Sequence, residues 1–123
     1  MIGSPERPSA ALGRRGEEAA LARYARLGYT VVARNWHCAL GELDLVVARD
    51  GQLVVCEVKA RRDDAFGGPY DAVTWRKRRK LKALAEAFIA SNRLRPEAVR
   101  FDVASVTAGT GGRMSVHVFE DAF

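Results

Sequence analysis

Asp44, Glu57 and Lys59 are the residues of this 123-residue chain whose types and spacing point to chemistry. The stretches Leu43–Val47 and Leu53–Val58 are apolar apart from Asp44 and Glu57. A carboxylate in such surroundings needs a shared proton, a hydrogen-bond donor or a cation. Two carboxylates beside one lysine suit a hard divalent ion, Mg²⁺ or Mn²⁺, which takes one or two carboxylates and fills its other positions with water and phosphate oxygens. Such an ion polarises a phosphodiester and lowers the pKa of a bound water. Lys59 is placed to orient that water or to stabilise charge on a phosphorane-like transition state.

Whether these groups meet depends on the strands that carry them. Glu42–Arg49 and Gln52–Lys59 are rich in β-formers, and Asp50-Gly51 between them is a strong two-residue hairpin signal. A loop of that length pairs Arg49 with Gln52, so paired residue numbers have a constant sum. The register then sets Leu45 opposite Cys56, Asp44 opposite Glu57, Leu43 opposite Val58 and Glu42 opposite Lys59. Side chains alternate along strands, so Glu42, Asp44, Glu57 and Lys59 are expected on one face. Leu43, Leu45, Val47, Val54, Cys56 and Val58 are expected on the other, as core. A β-bulge would offset this pairing by one residue. The non-catalytic alternative is a Glu42–Lys59 ion pair beside a protonated Asp44–Glu57 pair.

The remaining elements follow from periodicity. Leu12–Leu27 reads as a helix stopped by Gly28, with residues 1–11 as a loose tail before a single domain over 12–123. Tyr29–Trp36 reads as a first strand. A loop over Ala60–Tyr70 contains Gly67-Gly68-Pro69 and two aromatics, Phe66 and Tyr70. Thr74 is the expected N-cap of a helix ending near Asn92. Val99–Thr107 and Arg113–Phe119 complete the strands. The order α-β-β-β-α-β-β, with a helical crossover between strands three and four, predicts an α/β domain with a mixed sheet and helices packed against it.

The pattern of Asp44 followed by Glu57-Val58-Lys59 resembles the PD-(D/E)XK signature of restriction-endonuclease-like nucleases, with Leu43 in the place of the proline. Around it, Gly16-Glu17, Gly28-Tyr29, Arg34-Asn35, Gly41-Glu42-Leu43-Asp44-Leu45, Lys77, Phe101-Asp102-Val103 and Asp121-Ala122-Phe123 follow in order. From about Leu12 onward the chain resembles the YraN-like family of small, poorly characterised bacterial proteins. That family is placed in the restriction-endonuclease-like fold and is similar to Holliday-junction resolvases. The resemblance implies Asp44 and Glu57 as metal ligands, with the Val58 carbonyl as a third. It implies Lys59 as the catalytic lysine, Glu17 as a group completing the metal site or holding a bridging water, and Glu42 as a support to the ligands.

Charge indicates a partner. The segment from Lys59 to Lys82 holds nine Lys/Arg against three Asp, and the rest of the chain holds eleven basic against twelve acidic residues. The whole excess of +5 therefore comes from one segment, the footprint expected for a polyanion. Arg61, Arg62, Arg76, Lys77, Arg79 and Lys80 are the expected nucleic-acid contacts. Lys77 lies four residues before Leu81 and seven before Leu84, so it is expected on the inward face of its helix, aimed at the metal site or a phosphate. Trp36 and Trp75 read as packing residues. No apolar run is long enough to span a membrane, and no secretory leader is expected at the start. Two cysteines without close spacing, Cys38 and Cys56, fit free thiols in a reducing cytoplasm. The expected activity is metal-dependent hydrolysis of DNA phosphodiesters, with branched or otherwise structured DNA as substrate. The alternative is a non-catalytic nucleic-acid-binding or partner-recruiting module, and RNA stays open as a substrate. A homodimer through an exposed strand edge is compatible with either.

Overall fold

A computed structural model describes residues 8–62 and 74–123. The loop residues Phe66, Gly67, Gly68 and Tyr70 lie outside the described residues. The order of elements is α1 (Pro8–Arg26), β1 (Thr30–Cys38), β2 (Gly41–Arg49), β3 (Gln52–Arg62), α2 (Trp75–Ser91), β4 (Ala98–Ala108) and β5 (Met114–Phe119), with a 3₁₀ turn at Thr110–Gly112. The five strands form one sheet in the order β1-β2-β3-β4-β5. All neighbours are antiparallel except β3 and β4, which run parallel because α2 carries the chain back between them. The expected mixed α/β sheet is therefore the observed one.

α1 starts at Pro8, four residues before the expected Leu12, so positions 8–11 are helical and not tail. Proline suits a first helical position because its missing N–H has no partner there anyway. The helix ends as Gly28 predicts. Gly28 has φ +89° and donates to the Ala25 carbonyl, while Tyr29 donates to the Tyr24 carbonyl. The Tyr24 and Tyr29 rings meet edge to face across this cap, 5.3 Å apart. α2 begins at the expected cap, with the Thr74 hydroxyl accepting from the Lys77 amide at 3.2 Å.

The helices cover opposite faces of the sheet. On one side Ala20 and Tyr24 of α1 pack with Leu45, Val47, Val54, Cys56 and Ala104. On the other, Leu81, Leu84, Ala85 and Phe88 of α2 pack with Leu43, Val46, Leu53 and Val55. The buried stripe of α1 runs Gly16, Ala20, Tyr24, one turn apart and growing in size. The smallest residue faces the C-terminal half of β3, where a β-carbon on Gly16 would stand 2.8 Å from that of Ala60. This close approach brings Glu17 toward the end of the sheet that holds Asp44 and Glu57.

The far end of α1 is pinned by a buried charge. Asp102 is fully buried and receives the Tyr24 hydroxyl at 2.6 Å. Arg100 binds both of its oxygens, at 2.8 and 2.9 Å, and the Asp121 amide adds a fourth bond at 3.0 Å. Beside it the Ala122 amide donates to the Phe101 carbonyl, and the rings of Phe101 and Phe123 stack at 5.3 Å. These four donors satisfy the buried carboxyl by hydrogen bonds alone.

Candidate active site

The Asp50-Gly51 turn forms as expected, with φ of +50° and +81° at its two residues. The predicted register holds from Arg49–Gln52 to Leu45–Cys56. There the β2–β3 ladder stops, so the expected pairs Asp44–Glu57, Leu43–Val58 and Glu42–Lys59 are not formed. The reason is Asp44 itself: its Oδ2 accepts the Val58 amide at 2.9 Å, taking the place of a main-chain carbonyl. The strands part at this point with a carboxylate wedged between them.

A second irregularity lies alongside. The β1–β2 ladder passes from Arg34–Leu45 to Trp36–Leu43, and Asn35 between them has φ +50°. Simple alternation places Leu43 with Leu45, but Leu43 joins Val46 and the α2 cluster instead. Trp36 goes the same way and meets Phe88 edge to face at 5.2 Å, as a packing residue should. The expected single face of Glu42, Asp44, Glu57 and Lys59 is thereby corrected. Glu42 is exposed, and its charge acts on Glu17. Glu17 hydrogen-bonds with Asn35 and lies near Arg34. Burial and then the Glu42 charge hold the Glu17 carboxyl above its ordinary range, against the Asn35 bond and Arg34.

Glu57 is 8% exposed and is held by two amines on the same oxygen. The Lys77 ammonium lies 2.7 Å from Oε1 and that of Lys59 lies 3.5 Å away. The inward aim read from helical spacing for Lys77 is what the structure has. Burial, and then the Glu57 charge, push the Asp44 carboxyl up to about 7, although the Val58 amide works the other way. Burial and the neighbouring Lys77 hold Lys59 below the usual lysine range. For Lys77 burial also opposes the charge, but contact with Glu57 outweighs it, so its ammonium is favoured. Two close carboxyls, one tending to keep its proton at neutral pH, form a site for a proton or a cation.

The donor set fits a hard divalent ion. Asp44 binds the Val58 amide and shares a hydrogen bond with Glu57, whose Oε1 holds the two lysines, so the two carboxyls meet at a position that a proton or a cation fills. Among the described residues no three His, Cys, Asp or Glu side chains gather closely enough to hold a metal together. Glu17 stands near enough for its charge to act on Asp44, yet it is engaged with Asn35. Arg61 continues β3 beyond Lys59 and is half-buried, and Arg62 ends the strand exposed. Arg76 and Arg79 lie exposed on the outer side of α2, and Lys80 is exposed on its flank with the end of its side chain against Gly41. Sequence reasoning missed the Tyr24–Asp102–Arg100 cluster and the Glu17–Asn35 bond. An asparagine inside a strand, a residue tolerant of left-handed backbone, is the signal that could have found the latter. Trp75, read as packing, is in solvent at 61% exposure.

Fold and site together define a small α/β domain that carries an acidic pair at a strand fork beneath the cationic start of a helix. The chain belongs to the uncharacterised protein family UPF0102, whose model matches residues 16–106. It is 43% identical over 111 residues to a UPF0102 protein of Clavibacter michiganensis subsp. michiganensis, spanning 90% of this chain and 94% of that one. It is 50% identical over 107 residues to a UPF0102 protein of Acidothermus cellulolyticus, spanning 86% and 75%. A third relative, from Symbiobacterium thermophilum, is 39% identical over 112 residues, spanning 91% and 95%. These matches bear out the YraN-like resemblance. Among the described residues no helix is long and apolar enough to cross a membrane.

Proposed function

We propose that this protein is a metal-dependent endonuclease that hydrolyses phosphodiester bonds in DNA, with branched or otherwise structured DNA as its substrate class. The observation that carries this reading is the strand fork, where Asp44 and Glu57 form one partly buried cluster with Lys59 and Lys77. A Mg²⁺ or Mn²⁺ ion held by Asp44, Glu57 and the Val58 carbonyl would supply an activated water and a charge clamp for the scissile phosphate. Glu17 would take a bridging water, and Glu42 would bias Glu17 by its charge. Lys59, with its ammonium weakened by burial and by Lys77, would orient the attacking water. Lys77 would move from Glu57 to a phosphate oxygen once the ion neutralises the carboxylates. Arg61, Arg62, Arg76, Arg79 and Lys80 would hold the flanking backbone.

Cleavage of linear, single-stranded, flapped and four-way DNA with Mg²⁺ or Mn²⁺ tests this reading. Asp44→Ala and Glu57→Ala are expected to abolish cutting while DNA binding in chelator stays within about twofold. Metal-dependent cutting that survives in both variants would overturn the site assignment.

The Lys77–Glu57 ion pair favours a second reading, because it satisfies Glu57 without any ion. In that case the chain is a non-catalytic nucleic-acid-binding or partner-recruiting module. Calorimetry with Mg²⁺ separates the two, since the module predicts no binding that depends on Asp44 and Glu57.

A further inference from the structure

Among the described residues Trp75 is the large aromatic side chain left mostly in solvent, and the helix has no need of it there. Its position is the first residue of α2, where Thr74 already supplies the cap. Trp75 belongs to neither core cluster. Two guanidiniums lie over its ring, Arg76 at 5.9 Å and Arg79 at 5.4 Å from the centroid. With Lys80 these residues line a shallow, open depression of about 390 Å³. Among the described residues no carboxylate pairs with Arg76, Arg79 or Lys80, and the first turn of α2 holds no acid.

We propose that Trp75, flanked by Arg76, Arg79 and Lys80, is a stacking platform for an unpaired base of a polynucleotide. This deepens the reading of the fork as a phosphodiester site and rests on its polyanionic substrate. The arrangement answers both parts of a nucleotide at once. A flat ring that is mostly in solvent takes a base of any identity, and the cations over and beside it take the adjoining phosphates. Arginine planes beside an aromatic extend the stack and grip phosphate through paired N–H groups. Charge complementarity selects a polyanion, and the exposed ring selects one whose bases are free. Bases inside a duplex are already stacked and offer no face to Trp75.

Position links the platform to the fork. Lys77, on Glu57, follows Trp75 by two residues, about 3 Å along the helix axis but on the opposite side of the helix. Arg79 lies one turn beyond Trp75 on the same outer side. A strand whose phosphate lies at Glu57 and Lys59 would pass around the start of α2 to set one of its bases on Trp75. The platform makes an unpaired nucleotide in the strand that passes the fork the feature that distinguishes substrate from plain duplex.

Fluorescence in chelator tests this without any cutting. The chain has two tryptophans, so Trp36→Phe leaves Trp75 as the sole emitter. Titration with a twelve-residue oligothymidylate is expected to quench it strongly, and a blunt duplex of equal length to quench it little. Trp75→Ala in the natural background should weaken oligothymidylate binding about 5- to 150-fold, the range that one lost base–aromatic stack implies. Duplex binding should change less than twofold, and Trp75→Phe should recover most of the loss. Trp75 is exposed, so these variants are expected to fold, which circular dichroism checks. Equal affinity of Trp75→Ala and the natural chain for the oligonucleotide would overturn the platform, as would equal losses on single strand and duplex. A nuclease that fails to cut but shows the quench keeps the platform and loses only the catalytic reading.

Discussion

The Lys77 ammonium, from the first turns of α2, lies 2.7 Å from Glu57 Oε1 on the buried face of β3. It ties the helix to the strand fork at the point where α2 enters over the sheet. Without it, among the described residues Glu57 keeps Lys59 as its cation, at 3.5 Å. A buried carboxylate that loses a charge-assisted bond is costly, although Lys77 is itself a third exposed, which discounts the loss. Lys77→Met is expected to cost about 1–3 kcal/mol in chelator. Millimolar Mg²⁺ should restore part of that in the variant if the fork takes the ion. Urea midpoints with and without chelator check both points, and an unchanged midpoint would mean that the pair contributes nothing.

Asp44 makes the fork sensitive to pH. Its carboxyl is pushed up to about 7 in the folded chain, from an ordinary value of 3.8, first by burial and then by the Glu57 charge. Below about pH 4 it carries its proton whether the chain is folded or not. Between about 4 and 7 the folded chain keeps the proton while the unfolded chain releases it. Stability must therefore fall as pH rises through that window and level off above it. The full penalty is on the order of 2–4 kcal/mol. Asp44→Asn still offers an oxygen to the Val58 amide but has no charge to lose. In chelator the variant should thus be more stable than the natural chain at pH 8 and close to it at pH 4. Parallel stability curves for the two across this range would rule the mechanism out.

The parts of this fold that local pattern controls were readable in advance. Asp50-Gly51 set the turn, and two-residue spacing carried the register as far as Leu45–Cys56. The 3.6-residue period placed Lys77 inward, because its turn-mates Leu81 and Leu84 had to be buried. What escaped depends on contacts between distant residues or on a side chain displacing main chain. The ladder ends at Asp44 because its carboxylate takes the Val58 amide, and no periodicity encodes that. Asn35 adopts φ +50° in the middle of a β-rich run, and the β1–β2 register shifts between Val31 and Ala33. Tyr24 and Asp102 lie 78 positions apart and meet only once α1 has packed. Trp75 was misjudged because an aromatic at a helix start usually packs, whereas Thr74 and Lys77 had already fixed that turn. Pro8 was overlooked as a first helical residue.

Gly16 sets how closely α1 approaches the fork. A β-carbon there would meet the Ala60 side chain at 2.8 Å, with Val58 Cγ1 at 3.7 Å. Ala60 is held in the β3–β4 ladder opposite Val106, so it has little room to withdraw. Glycine inside a helix normally costs about 1 kcal/mol relative to alanine. Gly16→Ala should nevertheless yield no gain, and Gly16→Val should lose about 1–3 kcal/mol through overpacking. Thermal melts check the sign. A stabilised Gly16→Ala would show that the helix can lift away from β3 at no cost.

Chemistry and charge separate at Lys59 and Arg79. Lys59 sits half-buried, 3.5 Å from Glu57, while Arg79 lies exposed beside Trp75 with no carboxylate near it among the described residues. If the fork cuts phosphodiesters, Lys59→Ala should lower the cleavage rate by about 10²–10³, the usual loss for one transition-state donor, with DNA affinity in chelator changed less than about threefold. Arg79→Ala should do the reverse. It should weaken binding on all sequences alike and reduce the slope of log affinity against log salt by about 1, leaving the cleavage rate at saturation nearly unchanged. Single-turnover cleavage and salt-dependent binding measured on both variants resolve the two effects. A Lys59→Ala variant that loses affinity and salt slope but cuts normally at saturation would place Lys59 in the electrostatic footprint and remove it from the chemistry.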